Sequence, residues 1–87
     1  MVKRKLVISN PSGLHTRPAA VFARTAKKYQ SETKIIANGS SVNGKSTVSI
    51  LSAGLAKGIE IELQTEGDDE AEAMADLTQL LESGCGE

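Results

Sequence analysis

Between positions 59 and 64 apolar and polar side chains alternate without a break, Ile59, Ile61 and Leu63 against Glu60, Glu62 and Gln64. Successive side chains of a strand point to opposite faces, so this segment reads as a strand with one dry face and one wet face. A sheet that is wet on one side carries its helices on the other side only. Doubly wound α/β architectures, whose strands are apolar throughout, are thereby disfavoured. The 87 residues allow one domain, 1–87, with one modest core.

The remaining elements fit around that strand. Val2, Leu6 and Ile8, with charges between them, read as a half-buried first strand. Asn10-Pro11-Ser12-Gly13 is a turn cluster. A helix follows from about Thr16 to Lys28, with Pro18, Ala19, Phe22, Ala23, Ala26 and Tyr29 on its apolar side. Pro18 is tolerated in the first turn, where its missing N–H leaves no intrahelical bond unmade. Thr33 to Ala37 forms a second strand, and Asn38-Gly39 signals a type I′ hairpin into a short third strand through Val42. Ser46 is an N-cap for a brief helix that carries Val48, Ile50 and Leu51 and stops at Gly54. After the wet-faced strand, Asp68 or Asp69 caps a last helix with the stripe Ala71, Met74, Leu77 and Leu81, ended by Ser83-Gly84. The order βαββαβα implies an α/β (α+β) open-faced sandwich, a four-stranded antiparallel sheet with three helices on one face.

Composition excludes several functions. Phe22 and Tyr29 are the only aromatics, so stacking platforms for single-stranded nucleic acid are not expected. No apolar run approaches the roughly 20 residues of a membrane span, and the basic N-terminus leads into a strand, not a signal-peptide core. Cys85 has no second cysteine to pair with and lies between glycines, which suggests a frayed thiol in a reducing cytoplasm. With one histidine in the chain, a metal centre is not expected. Charge is segregated. Residues 1–34 hold eight basic side chains and one acid, and residues 35–87 hold two basic side chains and ten acids. The basic part suits an anion or an acidic partner protein better than nucleic acid, which the acidic part would repel.

The single histidine, His15, directly precedes the helix start Thr16-Arg17-Pro18. Unpaired N–H groups and a partial positive charge lie there, and Arg17 adds a guanidinium that matches phosphate oxygens. A nucleophilic imidazole beside a phosphate cradle is suited to carry a phosphoryl group. The bland alternative is a histidine that only caps the helix or sits in solvent.

At these residues a resemblance enters. Gly13-Leu14-His15-Thr16-Arg17-Pro18-Ala19 resembles the active-site signature of the HPr family, the phosphocarriers of bacterial sugar phosphotransferase systems. Val42-Asn43-Gly44-Lys45-Ser46, then Leu51-Ser52-Ala53-Gly54, and Glu66-Gly67-Asp68-Asp69-Glu70-Ala71 are similar to further family motifs. The resemblance implies that His15 accepts a phosphoryl group on Nδ1 from phosphorylated enzyme I and passes it to a IIA domain of a sugar permease. Arg17 and the backbone N–H groups of Thr16 and Arg17 would hold the phosphate. It further implies a carrier with no cofactor and no turnover of its own; the sequence gives no reason for dimerisation, so a cytoplasmic monomer that forms transient complexes and does not insert into membranes is expected. Ala20, Arg24, Lys27 and Lys28, at helical spacing from Arg17, are then expected to form a docking face together with Val48 and Leu51.

The resemblance also raises Ser46, phosphorylated in one branch of the family by an ATP-dependent serine kinase, with a transcriptional regulator as a further partner. Thr47, Val48 and Ala53 stand where regulated members have larger apolar residues, which argues against kinase recognition and raises the alternative of a paralogous carrier in nitrogen-related or other non-sugar signalling. A purely regulatory relative is the other alternative, and such relatives tend to lose the histidine kept here. Finally, Gly39 to Ser46 satisfies the nucleotide-binding pattern GxxxxGK[ST]. The early stop at Gly54 and the Glu-alternating strand argue against a nucleotide fold.

Overall fold

Seven elements follow one another, β1 (Val2–Val7), α1 (Thr16–Ala26), β2 (Glu32–Ala37), β3 (Ser40–Asn43), α2 (Thr47–Ser52), β4 (Glu60–Glu66) and α3 (Glu70–Glu82). The computed structural model describes residues 1–85. The strands form one sheet in the order β1-β4-β2-β3, antiparallel throughout. The alternating segment β4 is thus an interior strand, inserted between β1 and β2. The two strands joined by α1 run the same way but do not touch. In the dry rows Leu6 faces Ile61 and Ile35 faces Leu63, while on the wet side Lys5 faces Glu62. Opposite charges placed directly across a ladder contribute roughly 0.2–1 kcal/mol.

All three helices pack on the dry side. Pro18, Ala19, Phe22, Ala23 and Ala26 form the buried stripe of α1. Phe22, Ile35, Ile50, Ile61, Leu63 and Leu77 are fully buried and interlock its layers. Without Trp, Phe22 is the largest of these side chains, and truncation to Ala is expected to cost about 3–5 kcal/mol. The hairpin turns as its residues require. Asn38 and Gly39 have φ of 52° and 78°, both positive as a type I′ turn demands.

Several boundaries differ from the sequence reading. α1 ends at Ala26, with Lys27 as its C-cap, so Lys28 and Tyr29 lie in the following turn. β2 begins one residue earlier, at Glu32, and β3 runs on to Asn43. Of the three apolar residues of α2 only Ile50 enters the core. In α3 the exposed Ala71 lies outside the stripe, and Ala73 and Thr78 join Met74, Leu77 and Leu81 instead. Asp69 occupies the N-cap position of α3 without capping it. Its carboxylate accepts from the N–H groups of Gln30 and Ser31, both at 2.9 Å, and from the Ser31 hydroxyl, which staples the α1–β2 connection to α3.

The largest correction concerns Cys85, which is 0% exposed and not frayed. Gly84 and Cys85 have φ of 82° and 53° and turn the chain back over the end of α3. The Cys85 N–H donates to the Leu80 carbonyl at 2.8 Å and the Gly84 N–H to that of Leu81 at 3.2 Å. This is a Schellman closure, in which the second residue past the cap packs an apolar side chain against the helix.

Candidate functional site at the start of the first helix

The loop between β1 and α1 is held at both ends. The Asn10 carbonyl accepts from the Gly13 N–H at 2.9 Å, which closes a turn across Pro11 and Ser12. Proline at the second and glycine at the fourth position fit that turn. The Leu14 N–H then donates to the Leu55 carbonyl at 2.8 Å, and the Leu14 side chain is buried. Gly13 has φ of +69°, and a Cβ there would stand 2.3 Å from the Leu55 oxygen and 2.8 Å from the Ala56 Cα. Only glycine lets the loop lie this close to the segment that follows α2.

His15 comes next as the N-cap of α1, with φ −80° and ψ −165°, exposed between the buried Leu14 and the buried Pro18. Its carbonyl accepts the first intrahelical bond, from the Ala19 N–H at 2.9 Å. Pro18 has no N–H to offer, so the orphan donors of the first turn are the amides of Thr16 and Arg17. Thr16 and Arg17 are both exposed. The first turn of α1 carries no acid, whereas that of α3 carries Glu70 and Glu72. Arginine is the unfavourable choice at the positive end of a helix dipole, by a few tenths of a kcal/mol up to about 1 kcal/mol. The combination leaves positive potential beside the imidazole that an anion would neutralise.

An open depression borders the ring, lined by Leu14, His15, Leu51, Gly54 and Ala56 among others. α2 thus brings Leu51 next to the site, and Val48, one turn earlier, is 73% exposed. On α1, Arg24 is exposed and Ala20 half-buried at helical spacing from Arg17, and Lys27 and Lys28 are exposed beyond them. Lys28 lies past the helix, so the row expected from pure helical spacing loses its last member. Ser46 is the N-cap of α2, its Oγ accepting from the Ser49 N–H at 3.2 Å. A larger groove, about 400 Å³, crosses β2 and β3 near Lys34 and Asn43, away from His15.

The nucleotide-binding pattern has no nucleotide geometry. The Lys45 ammonium donates to the Tyr29 carbonyl at 2.8 Å, and the sheet beside it is antiparallel. Among the described residues no group of three His, Cys, Asp or Glu side chains could hold a metal ion, and no helix is long and apolar enough to cross a membrane.

Titratable groups with clear shifts lie at the other end of α1. The Tyr29 hydroxyl donates to the Asp76 carboxylate at 2.6 Å; that bond, then burial and the nearby negative charges, push its pKa up to about 12. The Ser31 hydroxyl, followed by the Gln30 N–H, holds Asp69 below the ordinary carboxylate range. Glu70 is lowered chiefly by the N-terminal ammonium 3.0 Å away, and then by the Gly67 N–H. These pairs fasten α3 to the rest of the fold.

Sequence reasoning missed the supports of the site, Asn10, Leu14 and the Leu55 carbonyl. The positive φ of Gly13 was foreshadowed by its turn cluster. Nothing local announces that residue 55 lies beneath it.

The chain thus displays a histidine at a helix start on an open-faced sandwich, and comparisons with known proteins place it among phosphocarrier proteins. The family model described as the PTS HPr component phosphorylation site matches residues 2–83. The phosphocarrier protein HPr of Neisseria meningitidis serogroup A is 45% identical over 87 residues, covering 100% of this chain and 98% of the relative. A crystal structure of HPr from Thermoanaerobacter tengcongensis superposes with a TM-score of 0.95 at 42% identity, covering 100% and 98% of the two chains. The catabolite repression protein Crh of Bacillus subtilis, solved as a swapped dimer, reaches a TM-score of 0.77 at 32% identity, covering 97% of each chain. The chain belongs to the HPr family of phosphocarrier proteins of the phosphotransferase system.

Proposed function

We propose that His15 is the phosphoryl acceptor and that enzyme I and a IIA domain are the donor and recipient. The imidazole Nδ1 lone pair forms a new P–N bond as the donor histidine's P–N bond breaks, and the same exchange runs in the opposite sense at the recipient. Arg17 and the Thr16 and Arg17 amides hold the phosphoryl oxygens. The observation that carries this reading is the exposed imidazole at an acid-free, arginine-bearing helix start. A carrier must give up its group as easily as it takes it, and a shallow site lets two different partners reach the same nitrogen.

Val48 and Leu51 from α2, with Ala20, Arg24, Lys27 and Lys28 from α1 and its end, are the docking surface for acidic partners. The protein works as a cytoplasmic monomer in transient complexes. At Ser46, whose Oγ already accepts from the Ser49 N–H, a phosphate from an ATP-dependent serine kinase would put negative charge inside that surface and weaken charging by enzyme I.

Incubation with enzyme I, Mg²⁺ and phosphoenolpyruvate is expected to add one acid-labile, base-stable phosphate per chain, read by mass spectrometry, and His15→Ala to abolish it. An unmodified wild-type mass, or a modification that survives His15→Ala, defeats the proposal.

A further inference from the structure

The side chain of Asn10 joins two distant parts of the molecule at the foot of the His15 loop. It is 2% exposed, and its Nδ2 donates to the Gly84 carbonyl at 2.8 Å across 74 residues of sequence. Gly84 and Cys85 are in turn fixed by their bonds to Leu81 and Leu80 and by the burial of Cys85. The same Asn10 holds the Gly13 N–H through its carbonyl. Just upstream Ile8 is pinned on both sides, its N–H on Ile59 and its carbonyl accepting from Gly58, at 2.9 and 2.8 Å. An apolar residue could fill this buried position without desolvating an amide. A directional group there answers a need for placement rather than for bulk.

We propose that Asn10 is a positioning residue for phosphotransfer, locking the His15 loop to the C-terminal turn of α3 so that the imidazole keeps its pose. The inference rests on His15 being the phosphoryl acceptor. The Asn10 side chain, the Gly13 N–H and the Leu14 N–H each fix the loop within five residues of His15. The first of these is anchored at the end of α3, outside the loop and the segment that follows α2. Its loss lets the segment from Asn10 to the His15 side chain shift while the body of α1, and the docking face on it, stay in place.

The test compares Asn10→Ala and Asn10→Ser with Ser31→Ala, which removes the hydroxyl bond of the Asp69 staple at the far end of α1 and leaves its two backbone bonds, the control for destabilisation without displacement of the loop. Serine keeps a turn-forming side chain but cannot reach Gly84. Both Asn10 variants are expected to lower the maximal rate of charging by phospho-enzyme I about tenfold or more, with KM within about twofold. Both are expected to move the His15 imidazole resonances in NMR spectra, and Ser31→Ala to move neither rate nor resonances. If Asn10→Ala fails to fold, Asn10→Ser decides. Charging rates within twofold of wild type in the Asn10 variants, or an equal loss in Ser31→Ala, overturn the proposal. If wild-type protein is not charged on His15, the proposed function falls, and the imidazole resonances alone then decide the role of Asn10.

Discussion

Replacing Gly13 by alanine tests the claim that the loop is pressed against the residues after α2. Gly13 sits at φ +69°, and for an L residue the left-handed region costs roughly 1–2 kcal/mol. The new Cβ would lie 2.3 Å from the Leu55 oxygen, so the two backbones must part by the better part of an ångström. That movement breaks the bond from the Leu14 N–H to Leu55, now 2.8 Å long, at a further cost of about 1 kcal/mol. The sum is about 2–3 kcal/mol, which for a domain of this size lowers Tm by roughly 10–25 °C. Gly39→Ala is the matched comparison. Its φ is +78° but its Cβ meets nothing within 4 Å, so the strain remains and the clash is absent. That variant is expected to lose only about 1–2 kcal/mol. Urea unfolding of both, with charging by enzyme I read alongside, separates the two effects. Gly13→Ala should lose stability and charging together, Gly39→Ala a little stability alone. Equal destabilisation by the two substitutions refutes the argument that close approach, and not φ alone, selects glycine at position 13.

Other consequences follow from the charged and titrating groups. If Arg17 holds the phosphoryl oxygens as proposed, Arg17→Glu is expected to slow phosphotransfer about a hundredfold by removing a donor and adding a like charge, while Tm stays within a few degrees because the side chain is exposed; comparable losses in rate and stability would mark Arg17 as structural. Tyr29 is the sole tyrosine, so ultraviolet titration reports one group ionising near pH 12, and Asp76→Ala should bring it back towards about 10. A raised pKa stabilises the fold below the unfolded value, and that contribution disappears as pH climbs from about 10 towards 12. Asp69 has the opposite sign. Its depressed pKa stabilises the fold above the ordinary carboxylate range, and the contribution disappears as pH falls through that range and below it. Asp69→Asn should therefore flatten the acid limb of a stability–pH profile, and an unchanged limb would show that the staple to Ser31 is inconsequential.

The parts of the fold legible in the residues are those decided within a few positions. Alternation at 59–64 indicated a one-faced strand, which the structure starts at Glu60 and carries on to Glu66; Asn38-Gly39 yielded a type I′ turn with both φ positive, and Ser46 an N-cap with its bond to Ser49 in place. His15, Thr16 and Arg17 were placed at a helix start for the same local reason. One error arose where a competing partner lay far off in sequence, and two concerned local helix ends. Asp69 looked like a cap, but the amides of Gln30 and Ser31 took its carboxylate. Lys28 looked helical, but α1 stops at Ala26. Cys85 looked loose, although an apolar residue just after Ser83-Gly84 is itself the mark of a Schellman closure.

Backbone stereochemistry and the period of apolar residues act over one or two turns, so the chain alone specified its elements, their wet and dry faces and the histidine at a helix start. Tertiary structure alone decided that β4 inserts between β1 and β2, that Leu55 underlies Gly13 and that Asn10 grips Gly84. Each of these joins segments brought together only when the sheet closes over its core, where a contact is chosen by which buried surfaces and unpaired backbone groups meet, not by what stands next in the chain.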